Sequence, residues 1–154
     1  MRLVAILMAL WVVLAPALAQ PSSGIALSDA WARATPGAGT TGAAYLTLAN
    51  AGAATDRLIA VSTPIARSVE LHTTVRDGDI LRMQALDTLG IAPGSAVELK
   101  PGGIHIMLLG LKAPLKEETT FPLTLTFAAG GDLTVDVAVR GAGAMGPTSQ
   151  PSKR

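Results

Sequence analysis

Hydrophobic and polar positions alternate most strictly near the C-terminal end of the chain. Leu123, Leu125 and Phe127 face one way and Thr124 and Thr126 the other, as far as Gly130-Gly131. Leu133, Val135, Val137 and Val139 then repeat the period against Thr134, Asp136 and Arg140. Period two over so many positions predicts a hairpin with one buried and one wet face. Ala43 to Ala49 alternates in the same way, with Tyr45 out of phase with Leu46 and Leu48. Further strands are predicted over 57–62, 66–73, 79–86, 96–100 and 104–109, punctuated by many of the chain's 16 Gly and 10 Pro.

No stretch after the N-terminal segment keeps a helical period, and only Leu27–Arg33 is readable as a short turn. Seven or eight short strands across residues 24–140 predict an all-β fold, a β-sandwich of Greek-key type. From Gly141 the sequence GAGAMGPTSQPSKR is too small and polar to pack, which predicts a disordered tail over 141–154.

The N-terminal segment has a different pattern. Met1 to Ala19 holds only Arg2 and Pro16 outside the apolar set and ends in Ala17-Leu18-Ala19. A positive start, an apolar core and an Ala-x-Ala end predict a secretory signal cut after Ala19. Pro16 interrupts the uninterrupted span of about 20 apolar residues that a retained anchor needs. With no cysteine near the cut, lipid attachment is not expected either. The expected organisation is a signal at 1–19, a short lead at 20–25, one domain at 26–140 and the tail.

Removing the signal changes the charge. Of 12 basic residues Arg2 is lost, leaving 11 against 11 acidic, so the mature chain is neutral. A neutral mature chain, with four of the sequence's five aromatic residues left once Trp11 goes with the signal, is a poor candidate for nucleic-acid binding. The absence of cysteine rules out disulfides in a compartment that would allow them. It also rules out thiolate metal sites, leaving thioethers and imidazoles for any soft metal.

Those ligand types are few and clustered. Both histidines, and two of the three methionines outside the signal, fall in the spacing His72-x10-Met83-x21-His105-x-Met107. A two-residue Asp77-Gly78 turn would set His72 directly opposite Met83, about 5 Å apart at Cβ. His105 and Met107, at i and i+2, share one strand face about 7 Å apart. Ile104, Ile106 and Leu108 take the other face. A packing role competes for Met83, since Leu81 shares its face, and His72 lies on the face of Ser68 and Glu70, which suits exposure as well as ligation. Met145, in the tail, reads as incidental. Two imidazoles with two thioethers favour Cu(I) over Ca or Mg.

On these residues the chain resembles the periplasmic copper chaperone family known as PCu(A)C. The resemblance extends through Ala30-Trp31-Ala32-Arg33, Gly42-Ala43-Ala44-Tyr45-Leu46, Asp56-Arg57-Leu58, Val69-Glu70-Leu71-His72, Pro101-Gly102-Gly103-Ile104-His105-Ile106-Met107 and Pro122–Phe127. It spans residues 26–139. It implies a cupredoxin-like sandwich that binds Cu(I) through His72, Met83, His105 and Met107 and delivers it toward the CuA centre of cytochrome c oxidase. Where many members carry Met after the first histidine, this chain has Thr73. Trp31 reads as core and Arg33 as a surface or partner contact.

The expected protein is a monomeric periplasmic carrier, not an enzyme, whose partner is a copper acceptor such as the CuA domain or a Sco-type protein. Only neutral imidazole binds metal, so affinity is expected to fall below about pH 6.5. Two alternatives are a metal-free β-sandwich interaction domain and a periplasmic copper buffer or resistance protein. A copper oxidase or dismutase is disfavoured, because a redox-active copper usually keeps more than two nitrogen ligands.

Overall fold

The structure is a computed structural model and describes residues 24–147. The expected signal and its cleavage point lie outside the described residues. Ten strands follow one another: β1 (Ile25–Arg33), β2 (Gly42–Asn50), β3 (Asp56–Ser62), β4 (Ser68–Asp77), β5 (Ile80–Leu86), β6 (Leu89–Ile91), β7 (Ala96–Glu98), β8 (His105–Leu109), β9 (Thr120–Phe127) and β10 (Gly131–Arg140). They pair in the order β5-β4-β8-β2-β1-β10-β9-β3-β6, with β7 on β2. This path curls on itself into a sandwich, and every pairing is antiparallel except β1 with β10.

The inner face is the aliphatic set that the alternation marks. Leu46 and Leu48 of β2, Ile106 and Leu108 of β8, Leu123, Leu125 and Phe127 of β9, and Val137 and Val139 of β10 are all buried in one cluster. Each such side chain contributes roughly 1.5–3 kcal/mol through the area it removes from water.

Two strands go beyond the sequence expectation. Leu27–Arg33 is not a helical turn but most of β1. Asp29, with φ of 53°, sits in a bulge where the register against β2 slips between Ser28 and Trp31. Leu27 pairs with Leu48 before the bulge and Ala32 with Ala44 after it. The inward positions on either side are thus an odd number of residues apart, and the alternation is lost. β6 has only three residues, too few to show a period.

The β4–β5 hairpin corrects a second expectation. Its two turn residues are Gly78 and Asp79, with Gly78 at φ 62°. A glycine with positive φ at the first central position is what a II′ turn requires. Asp77 therefore pairs with Ile80, Thr74 with Met83, and His72 with Ala85. Met83 is not opposite His72. Because the mismatch is two residues, all the side chains keep their faces.

Buried polar groups pin the loops. Asp56, 7% exposed, accepts backbone N–H bonds from Arg57, Ala129 and Gly130, tying β3 to the β9–β10 turn. Asn50 donates to the carbonyls of Ala54 and Ile91. Past β10, the Ala144 N–H donates to the Gly141 carbonyl, and Arg33 Nε donates to the Ala144 carbonyl at 2.8 Å. The part of the expected tail after Pro147 lies outside the described residues.

Candidate metal centre

Strands β4 and β8 lie side by side with His72 directly paired to His105 and Glu70 to Met107. Directly paired residues share a sheet face, so both histidines, Met107 and Glu70 stand together on the outer face. Met83 joins the same face from β5, diagonal to His72 and one pleat nearer the turn. Of the four residues singled out by spacing, His72, His105 and Met107 are immediate neighbours, while Met83 is diagonal to His72 and lies two strands and two pleats from Met107.

They are not equally placed. His105 is 7% exposed, Met107 and His72 are half-buried, and Met83 is 62% exposed. The imidazole centroids are 6.0 Å apart with the rings inclined by 49°. Two rings sharing one first-row ion, with bonds of about 2 Å, have centroids roughly 5–6.5 Å apart. The pair fits a single ion.

Hydrogen bonds settle which nitrogens are free. His105 Nδ1 lies 3.0 Å from the Gly103 carbonyl, which can only accept, so Nδ1 carries the proton and the lone pair of the neutral ring is on Nε2. His72 Nε2 lies 2.8 Å from a Glu70 carboxylate oxygen, which places its lone pair on Nδ1. That Nδ1 is buried and has no partner. A buried polar atom without a partner costs about 1–3 kcal/mol, and a metal ion would satisfy it. The carboxylate and carbonyl behind the rings are the usual outer contacts of metal-binding histidines.

Spacing alone did not single out Glu70 for this role. Its signal was the i, i+2 relation to His72, which puts both on one face of a strand. Among the described residues no three His, Cys, Asp or Glu side chains gather closely enough to hold a metal. Any metal held here would therefore draw on thioether sulfur beside the imidazoles, a soft donor that favours a soft ion. The centre is a surface patch. An open cleft of about 330 Å³ runs instead between β3 and the β4–β5 hairpin, and of this group only Glu70 lines it.

Beside the centre, Trp31 of β1 pairs with Tyr45 of β2, their rings 4.5 Å apart. Both are buried, yet they stand on the outer face, apart from the aliphatic core. Trp31 is buried as expected, 3% exposed, with its ring on the outer side of the sheet beside Tyr45. Burial pushes the Tyr45 phenol above its ordinary value of 10.0, and the Arg33 guanidinium partly offsets the rise. Met145, 73% exposed, stands apart from the histidines, and its Sδ accepts from Arg33 Nη2 at 3.0 Å.

Comparison with known proteins identifies the family and the fold. The family described as "Putative lipoprotein LpqE-like" matches residues 25–139. A relative from Leifsonia xyli subsp. xyli, "Putative lipoprotein Lxx21020", is 38% identical over 120 residues, 77% of this chain and 71% of its own length. Among solved structures, the apo PCuAC domain of PmoF2 superposes with a TM-score of 0.68 at 28% identity, covering 81% of this chain and 96% of that domain. The copper-bound form of the same domain gives 0.66, also at 28% identity, covering 77% and 93%. The solution structure of CuI-DR1885 from Deinococcus radiodurans gives 0.59 at 35% identity, covering 81% and 82%. The chain therefore belongs to the LpqE-like family, and its sandwich is the cupredoxin-like fold of PCuAC domains.

Proposed function

We propose that the protein is a Cu(I) carrier of an exported compartment, the periplasm, holding its cargo on His72, His105, Met107 and Met83. The observation that carries this reading is the direct pairing of His72 with His105, each ring held so that one lone pair is free beside a thioether. The copper-bound PmoF2 domain and CuI-DR1885 support the choice of ion. The relatives described as lipoproteins support export.

The arrangement suits transfer rather than turnover. Two imidazoles and two thioethers form an uncharged ligand set that stabilises Cu(I) without the additional nitrogens a redox-cycling copper usually keeps. Three of the four residues come from the paired strands β4 and β8. Met83 stands exposed on the hairpin, where an incoming ligand reaches it first. Release then proceeds by ligand exchange: an acceptor donor displaces Met83, and the histidines follow. The acceptor is read as the CuA domain of cytochrome c oxidase or a Sco-type thiol protein.

Anaerobic titration against a competing Cu(I) chelator tests the site. His105→Ala/Met107→Ala is expected to weaken binding by at least about a hundredfold, since losing an outer contact alone costs 10–100-fold. Equal affinity in wild type and variant would remove the assignment and favour a metal-free interaction domain. Mixing loaded protein with an apo CuA domain tests delivery. Copper retained by the carrier would point to a buffer instead.

A further inference from the structure

The lateral pairings across the outer face form one row. Glu70 pairs with Met107, and Met107 with Ala43. Ala32 pairs with Ala44, so the next step of that register sets Arg33 against Ala43, and Arg33 pairs with Arg140 across the parallel β1–β10 contact. Only the methyl of Ala43 separates the thioether strand from two neighbouring arginines. With strands about 4.8 Å apart, Arg33 stands roughly 10 Å from Met107 at Cα.

The two guanidiniums are held but not neutralised. Arg33 lies over the Tyr45 ring, 6.0 Å from its centroid. Its Nε and Nη2 reach only a backbone carbonyl and a thioether, those of Ala144 and Met145. Arg140 Nε is buried with no acceptor at all. Neither arginine makes an ion pair with any described residue. The Glu117 carboxylate packs against Gly141 without bonding to either. Two like charges on adjacent strands repel, and a buried guanidinium donor without a partner adds to the cost.

We propose that Arg33 and Arg140 form the docking point for an acidic segment of the protein that receives copper, adjoining the ligand set on one sheet face. Naming the partner as a copper acceptor rests on the carrier reading; the anion-binding surface itself does not. Arg33 already holds a stretch of peptide, the turn at 141–147, through uncharged acceptors. A carboxylate bonds a guanidinium about twice as strongly and can take both prongs of the fork, so an acidic segment displaces the turn. The two guanidiniums stand on adjacent strands, one of them already bonded to a short turn of peptide, which suits a protein segment better than a small anion. Docking there places the partner's own ligands over Met107 and His105.

The test uses the full apo protein labelled with 15N, titrated with a capped peptide of six glutamates and separately with inorganic phosphate. The peptide is expected to shift the Nε–H signals of Arg33 and Arg140 saturably, together with the amides of Tyr45, Ala144 and Met145. Arg33→Gln/Arg140→Gln is expected to lower peptide affinity at least about tenfold at low salt. Cu(I) affinity should stay unchanged. Shifts gathered at Lys100, Lys112 and Lys116 would overturn the proposal, as would phosphate matching the peptide or the variant binding equally well. The mapping on wild-type protein stands even if the variant folds poorly. No copper enters the titration, so its failure leaves the carrier reading intact, and a failed copper titration leaves the peptide result intact.

Discussion

Strand β8 carries two kinds of residue on its two faces. Inward, Ile106 and Leu108 are wholly buried in the aliphatic core. Outward, His105 and Met107 stand outside the aliphatic cluster, paired with His72 and Glu70 of β4. One strand thus supports the fold with every second residue and the proposed chemistry with the others. The core side tolerates no loss of volume, because its neighbours are packed on all sides. On the outer face a loss of volume costs less at Met107, which is only half-buried.

Substitutions on the two faces should therefore separate stability from binding. Leu108→Ala is expected to destabilise the fold by about 2–5 kcal/mol, read by denaturant unfolding. The double replacement of His105 and Met107 should show the opposite pattern, with the larger change in Cu(I) affinity. Glu70→Gln keeps the size of the side chain but weakens the acceptor that orients His72. A loss of about tenfold in Cu(I) affinity is expected, with little change in unfolding. No change would mean that Glu70 has no part in holding the ring.

Met83→Ala sharpens the comparison further. An exposed thioether contributes little to folding, within about 0.5 kcal/mol. Its loss should speed the release of Cu(I) to a chelator several-fold in stopped-flow measurements. The smallest effect concerns Tyr45. Its phenol is raised in the folded state, so the stabilisation is complete below the ordinary value of 10.0 and is lost as pH rises through the folded value. Tyr45→Phe should flatten that alkaline loss in a pH series of unfolding curves.

How much was legible in the sequence follows from these same residues. The phase of β8 could be read because His105 and Met107 interrupt a run of aliphatics at every second place. The β9–β10 hairpin could be read from uninterrupted alternation. In β1 the extra residue at Asp29 moves the inward set by one, and a reader counting by twos loses the strand. At the β4–β5 hairpin Asp77-Gly78 and Gly78-Asp79 are both acceptable turns. The choice is made by pairing along the whole hairpin, which local preference does not record. The contact of His72 with His105 joins strands far apart in sequence, and nothing near either histidine announces it. The contact of Arg33 with the turn after β10 was hidden for the same reason.

The parallel contact of β1 with β10 also governs the order of events when the chain folds. It joins Trp31 to Ala138, close to the two ends of the described chain. Contacts between distant residues form slowly, since a long loop must close before they are rewarded. Hairpins such as β4–β5 and β9–β10 need only local turns and can form earlier. A chain still being made or threaded across a membrane cannot complete the sandwich until residue 140 has emerged. Until then the edge of β1 is bare and open to pairing with other chains, and protection from hydrogen exchange at Trp31–Arg33 should be among the last to develop during refolding.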